Sequence, residues 1–303
     1  MAIVSIRRNG VSAGVAGPGR SAGDDGATRG RVVGWSRGAA RRNTAWLQSV
    51  DGHRLPPVGL ALTLTMGGWP DSPESFHAAR RAFLAFAARE GWTLQHWVVE
   101  STSLGRPHLH MALFGGGARP AARWMLVLKW LSICDKNGWP VTDHAQTVEP
   151  ITSLVGWLKY VSKHGARGVS HYQRSTPVRG WETTGRLWGH TSNWPTPDPE
   201  RWDLEDREFY RFRRILVGLV RSRLRASGAS STMRQRVGSQ LRNPDESKSR
   251  RAGITYWLDA DVADAIVTVS VLDPPGDPLG RLRVIPNLEV PKCPCPQPSL
   301  FKD

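Results

Sequence analysis

Apolar and polar residues alternate from Leu60 to Thr65, and that period of two predicts a strand. The period then lengthens. Phe76, Ala79, Phe83, Phe86 and Ala87 recur at helical spacing between Ser75 and Arg89, with Asp71 and Ser72 placed to cap the helix. Leu94 to Glu100 reads as a second strand, Ser101 to Pro107 as a turn, and His108 to Phe114 as a third strand, paired with the second in a hairpin. A helix over 119–137 ends near Asn137-Gly138, Thr142 to Glu149 is a short extended piece, and a helix from Ile151 to His164 is stopped by Gly165. The order is βα, then a β-hairpin, then αβα. It predicts an α+β fold over residues 46–200, a largely antiparallel sheet flanked by helices.

The pattern changes on either side of that core. Gly, Ala, Ser and Arg dominate residues 1–45, which predict a disordered basic arm. Residues 201–226 predict a strongly basic helix with Phe209, Phe212, Ile215, Leu216 and Leu219 on one side, and the rest of 201–252 is a polar linker. In the small C-terminal segment, 253–303, a short strand and helix fit Ile254 to Val271 before a Pro-rich, irregular end. No internal repeat is visible.

Charge sharpens this division. The 303-residue chain carries a formal net charge of +15, with its basic excess strongest in the arm and the 201–252 stretch. A charge of that size favours a polyanionic partner, nucleic acid first. No apolar run approaches the ~20 residues that span a bilayer, so no membrane partner is expected. Three cysteines make no disulfide framework, which points to a reducing cytoplasm. Cys293-Pro294-Cys295 lacks His or Cys partners at zinc-site spacing. No GxxxxGK[ST] loop occurs, so strand separation by this chain's own P-loop motor is excluded.

Two clusters carry candidate chemistry. On a strand, His108 and His110 project from one face, about 6.6 Å apart along the chain, and can grip one divalent cation. Glu100, across the turn, can add a hard oxygen ligand; His96 has the same parity and is a weaker candidate. Two imidazoles and a carboxylate leave coordination positions open for water or a phosphate oxygen. The second cluster is on the helix 151–164. Ile151, Leu154, Val155, Leu158 and Val161 form its expected buried stripe, and Tyr160, Lys163 and His164 lie on another face. A phenol ionises near pH 10, so Tyr160 needs help to act as a nucleophile. Lys163 one turn away offers positive charge, and Gly156 leaves room above the ring.

Taken in order, the strand LALTLT, then GRPHLHMALF, then GWLKYVSKHG resembles the three motifs of HUH endonucleases, in particular rolling-circle replication initiators of small plasmids and single-stranded DNA phages. The resemblance covers about residues 58–165, and GRLWGHTSNWP at 185–195 extends it. It implies a sheet related to the RNA-recognition fold. It also implies Mg²⁺ or Mn²⁺ on His108, His110 and Glu100, with Tyr160 as the nucleophile and Lys163 as its electrostatic helper. Such an enzyme cuts one strand at an origin, becomes linked to the 5′ end, leaves a 3′-OH to prime synthesis, and rejoins strands at termination. Its partners would be single-stranded and origin DNA, a host helicase and a DNA polymerase. Some phage members carry a second tyrosine four residues after the first; here that position is His164, which favours a single-tyrosine enzyme, with Tyr172 the remaining candidate. Thr63 and Thr65 of the first motif, Arg106 in the basic turn, and Arg211 and Arg214 on the basic helix are the expected DNA contacts. Trp157, Trp181, Trp188 and Trp194 could stack on unpaired bases or fill the core. The rival readings are a single-tyrosine transposase, a relaxase, and a single-strand binding protein with a degenerate site.

Overall fold

A computed structural model of the chain describes residues 2–15, 31–116, 122–165, 167–235 and 254–272. In chain order its elements are β1 (Ala2–Arg7), β2 (Gly10–Val15), α1 (Arg37–Ser49), β3 (Gly59–Leu64), α2 (Pro73–Arg89), β4 (Leu94–Ser101), β5 (Pro107–Phe114), α3 (Ala122–Lys136), β6 (Thr147–Ile151), α4 (Leu154–Gly165), α5 (Tyr172–Ser175), β7 (Trp188–His190), β8 (Glu200–Leu204), α6 (Asp206–Ala226), β9 (Ile254–Trp257) and α7 (Ala260–Leu272). The chain is α+β, with two antiparallel sheets in two units. Among the described residues, no helix is long and apolar enough to cross a membrane.

The first unit combines the N-terminal hairpin, residues Ala45–Val50 and the described residues of Thr196–Cys295. Its four strands lie in the order β8-β1-β2-β9. Ala2, Val4 and Ile6 are buried on alternate positions of β1, with Val11 and Ala13 of β2 beside them. They pack with Phe209, Phe212, Ile215 and Leu216 of α6 and Val262, Ile266 and Val267 of α7. This corrects the expected disordered arm: Ala2–Val15 is a strand hairpin. Its small apolar residues could not form a core among themselves. The partners that bury them come from the other end of the chain. A second correction concerns the basic helix, whose expected first turn is instead strand β8. The helix starts at Asp206, where the Glu208 side chain accepts from the Glu205 backbone N–H at 2.8 Å. The expected apolar side of α6 is buried as drawn from its spacing. Cys293, Cys295 and most of the polar linker lie outside the described residues.

The second unit takes the described residues of Thr28–Thr44 and Asp51–Pro195. Its five strands lie in the order β6-β3-β5-β4-β7. One sheet face is apolar: Leu60, Leu62 and Leu64 of β3, Leu109, Met111 and Leu113 of β5, and Trp97 and Val99 of β4 meet Phe76 and Phe83 of α2 and Trp130 of α3. Ser72 caps α2, its Oγ accepting from the Ser75 N–H at 3.2 Å, with Pro73 in the first turn. The other face cannot be apolar, because period two places His96, Glu100, His108 and His110 there. Both β4 and β5 are nevertheless buried along their whole length. Polar side chains buried in this way require partners, and α4 and α5 supply several.

Candidate active site

The β4–β5 hairpin sets the spacing of the chemistry. Its register puts Glu100 opposite His108, Val98 opposite His110 and His96 opposite Ala112. The connecting turn is closed by Thr102, whose backbone N–H donates to the Arg106 carbonyl at 2.8 Å and whose hydroxyl accepts from the Arg106 N–H at 3.1 Å. Gly105 sits in this turn at φ +72°, a left-handed conformation that favours glycine.

Ligand atoms of Glu100, His110 and His164 all lie within 4.8 Å of one another, and all three residues are buried. His110 Nε2 is 3.3 Å from Glu100 Oε2 and 3.1 Å from His108 Nε2. Surrounding groups orient these side chains. Thr63 Oγ1 bonds His110 Nδ1 at 3.0 Å, and the Gln173 amide donates to His108 Nε2 at 3.2 Å. Arg174 donates through Nε to Glu100 Oε1 at 2.9 Å and through Nη2 to the His164 carbonyl at 2.9 Å, and its guanidinium lies 4.1 Å from the Trp35 ring centre. Arg167 bonds the other Glu100 oxygen. Burial would raise the Glu100 pKa, but His110, Arg167 and Arg174 more than offset this and hold it at about 2. A buried carboxylate kept ionised among imidazole nitrogens is a donor set that fits one divalent cation with mixed oxygen and nitrogen ligands.

The tyrosine helix turns differently from its hydropathy pattern. Val155, expected in the buried stripe, is 59% exposed, whereas Trp157, Tyr160, Val161 and His164 face inward. The Tyr160 ring stacks on Trp157, with centres 5.6 Å apart and planes 23° apart. Its hydroxyl bonds His96 Nδ1 at 2.9 Å, and His96 Nε2 bonds Asn43 Oδ1 at 3.0 Å. Burial, reinforced by the Glu100 charge, pushes the phenol pKa well above its ordinary value. Burial, then the neighbouring His190, pushes the His96 imidazole down to about 3. His96 is therefore not in the ligand cluster but beneath the tyrosine. The Lys163 side chain lies outside the described residues.

The remaining candidates divide. Arg106 lies over Trp69, 4.4 Å from the ring centre, and Arg214 is exposed on α6. Thr63 serves His110 rather than an open surface, and the Thr65 hydroxyl donates to the Ala145 carbonyl at 3.0 Å. Arg211 is a correction: it is buried, and its guanidinium bonds the Ser270 carbonyl, tying α6 to α7. A buried arginine holding a helix pair together is not available to a phosphate. Trp157 and Trp194 are core residues, Trp181 and Trp188 are half-buried, and Tyr172 is 56% exposed. The residues missed from the sequence are His164 as a member of the Glu100–His110 group, Arg167, Gln173, Arg174 and Asn43. His164 alone had a signal, standing one helical turn from Tyr160.

Among known proteins, the chain is 38% identical over 235 residues to a replication-associated protein of Pseudomonas phage Pf3, covering 76% of this chain and 83% of the relative. It is similar to two Xylella fastidiosa proteins named provisionally as replication proteins. One, from strain 9a5c, is 38% identical over 86% of this chain and 94% of its own length. The other, from strain Temecula1, is 35% identical over 85% and 99%. No protein-family model matches the chain, and no solved structure matches it significantly.

Proposed function

Because this chain belongs to the family that includes the replication-associated protein of Pseudomonas phage Pf3, we propose that it initiates DNA replication by nicking one strand at an origin, with Tyr160 as the attacking group. The observation that carries this reading is the placement of Tyr160 on the same sheet face as Glu100, His108, His110 and His164. The same side chains on separate surfaces would have no joint chemistry.

The residues divide the work. Glu100, His110 and His164, with His108 alongside, would hold Mg²⁺ or Mn²⁺. That ion, when bound, supplies positive charge to a phosphate oxygen and makes phosphorus more electrophilic. Arg174 and Gln173 keep the ligand side chains in place. Tyr160 attacks phosphorus, its oxygen forms the phosphotyrosine ester, and the 3′ oxygen departs as the primer end. The ester conserves the phosphodiester, so a later 3′-OH can reverse the step. Tyr160 is only 6% exposed, so DNA has to displace part of its cover to reach the phenol. Lys163, one turn along in sequence, would offset charge on the phosphate. A single nucleophile is favoured by His164, which stands where a second tyrosine would and joins the Glu100–His110 group instead. Arg106 and Arg214 would contact the DNA backbone. A host helicase and polymerase would complete the process.

The test is incubation of the full chain with labelled single-stranded origin DNA and Mg²⁺ or Mn²⁺, followed by denaturing electrophoresis. The wild type should yield a protein–DNA adduct, and Tyr160→Phe none while still binding DNA. An adduct of normal yield from the Phe variant would sink the nucleophile assignment.

A further inference from the structure

Tyr160 is held by two hydrogen bonds in series, through groups outside the ligand cluster. The hydroxyl lies 2.9 Å from His96 Nδ1, and His96 Nε2 lies 3.0 Å from Asn43 Oδ1. The acceptor at the end of the series sets its direction. An amide oxygen has no proton, so His96 Nε2 carries one and donates it. A neutral imidazole has a single N–H, so Nδ1 keeps a lone pair and the phenol donates to it. Asn43, His96 and Tyr160 are 1%, 0% and 6% exposed, so bulk water does not compete for these bonds. The His96 ring meets the phenol edge-on at 89°, while Trp157 lies against its face. The tyrosine is thus fixed both at its ring and at its oxygen.

Resting on the reading of Tyr160 as nucleophile, we infer that Asn43 and His96 aim it: Asn43 selects the His96 tautomer, and His96 accepts the phenol's only proton. The oxygen's lone pairs are then turned away from His96 and left for phosphorus. In the reaction, the Tyr160 oxygen bonds to phosphorus and the bond from phosphorus to the 3′ oxygen breaks. The phenolic proton moves along its existing hydrogen bond to His96 Nδ1, and the departing 3′ oxygen takes a proton from water. Transfer is driven as the new bond forms, because a phenol oxygen bonded to phosphorus cannot keep its proton. Asn43 Oδ1 accepts from Nε2 throughout, so the imidazole keeps its orientation.

Two measurements test this on the full chain. The first is a long-range ¹H–¹⁵N correlation spectrum of histidine-labelled protein. His96 should show the Nε2–H tautomer, with an Nδ1 resonance that moves in Tyr160→Phe; an Nδ1–H tautomer overturns the inference. The second is single-turnover adduct formation on single-stranded DNA with Mg²⁺. His96→Ala should slow it by about a hundredfold, with DNA and Mg²⁺ affinities held within about twofold. His96→Asn, whose Oδ1 can accept the phenol's hydrogen bond but cannot take up its proton, should stay as slow as His96→Ala. His96→Ala or His96→Asn at the wild-type rate overturns the inference while an inert Tyr160→Phe leaves the nucleophile reading intact. An active Tyr160→Phe overturns both.

Discussion

The two sheets of this protein are built alike and used differently. Each is antiparallel, and each packs helices against an apolar face. In the first unit, β1 alternates buried and partly exposed residues, the pattern of a sheet with one dry face. In the second, β4 and β5 are buried at every position, although one of their faces carries three histidines and a glutamate. Burying that many ionisable groups is costly unless each is paired. The second unit accordingly surrounds them with Thr63, Arg167, Gln173 and Arg174. A sheet assembled only for stability gains nothing from such a face. Where this second sheet buries polar groups on one face, it holds the candidate site in place.

The sharpest way to break this contrast is Glu100→Ala. It leaves Arg174 buried without its carboxylate and should destabilise the chain by about 3–5 kcal/mol. It should also remove divalent-ion binding. Chemical denaturation and calorimetric titration read the two effects, and a variant as stable as wild type would show that the buried face is not paired as described. Phe212→Ala does the reverse. It should cost about 3–5 kcal/mol through the cavity it leaves in the first unit. At a temperature where the variant stays folded, Mg²⁺ affinity should equal that of wild type; weakened binding would show that the two units do not divide stability and chemistry.

A smaller effect is expected from Gln173→Ala, which removes only the amide that orients His108. Metal affinity should drop roughly 10–100-fold with little change in folding. No loss in calorimetry would mean that His108 needs no orienting partner. The smallest effect concerns acid. Burial, helped by Arg80, lowers the His77 pKa to about 4, and its Nε2 bonds the Thr184 carbonyl at 2.7 Å. Above its unfolded pKa near 6.5, His77 is neutral in both states. Between 6.5 and about 4 the unfolded chain takes up the proton first, so stability falls through that window and levels off below it. His77→Gln should flatten this part of a stability-versus-pH curve, with His96 accounting for part of what remains. An unchanged slope would assign it elsewhere.

Local pattern made much of the second unit legible. Period-two alternation located β3, β4 and β5, and strand parity placed His108, His110 and Glu100 on one face before any tertiary contact was known. Helix α4 was also visible, but its orientation was not. Hydropathy treats Tyr160 and His164 as outward residues and Val155 as inward. The structure reverses this because the surface α4 meets is itself polar. Asn43 lies in a segment with no distinguishing motif, and Arg174 reaches Glu100 across 74 positions. Spacing rules describe neighbours in an element, not partners that distant. The same limit hid the β1–β2 hairpin, whose apolar partners lie about two hundred residues away in sequence.

The sequence alone therefore determined which residues could do chemistry, the HLH pair on a strand and a tyrosine on a helix, and that both belong to an α+β core in a strongly basic chain. Only the tertiary structure decided that His164 joins the cluster, that His96 leaves it to hold Tyr160, and that Arg211 is a packing residue. The physical reason is that periodicity assigns a side chain to a face, whereas its role depends on what the opposing element brings to that face.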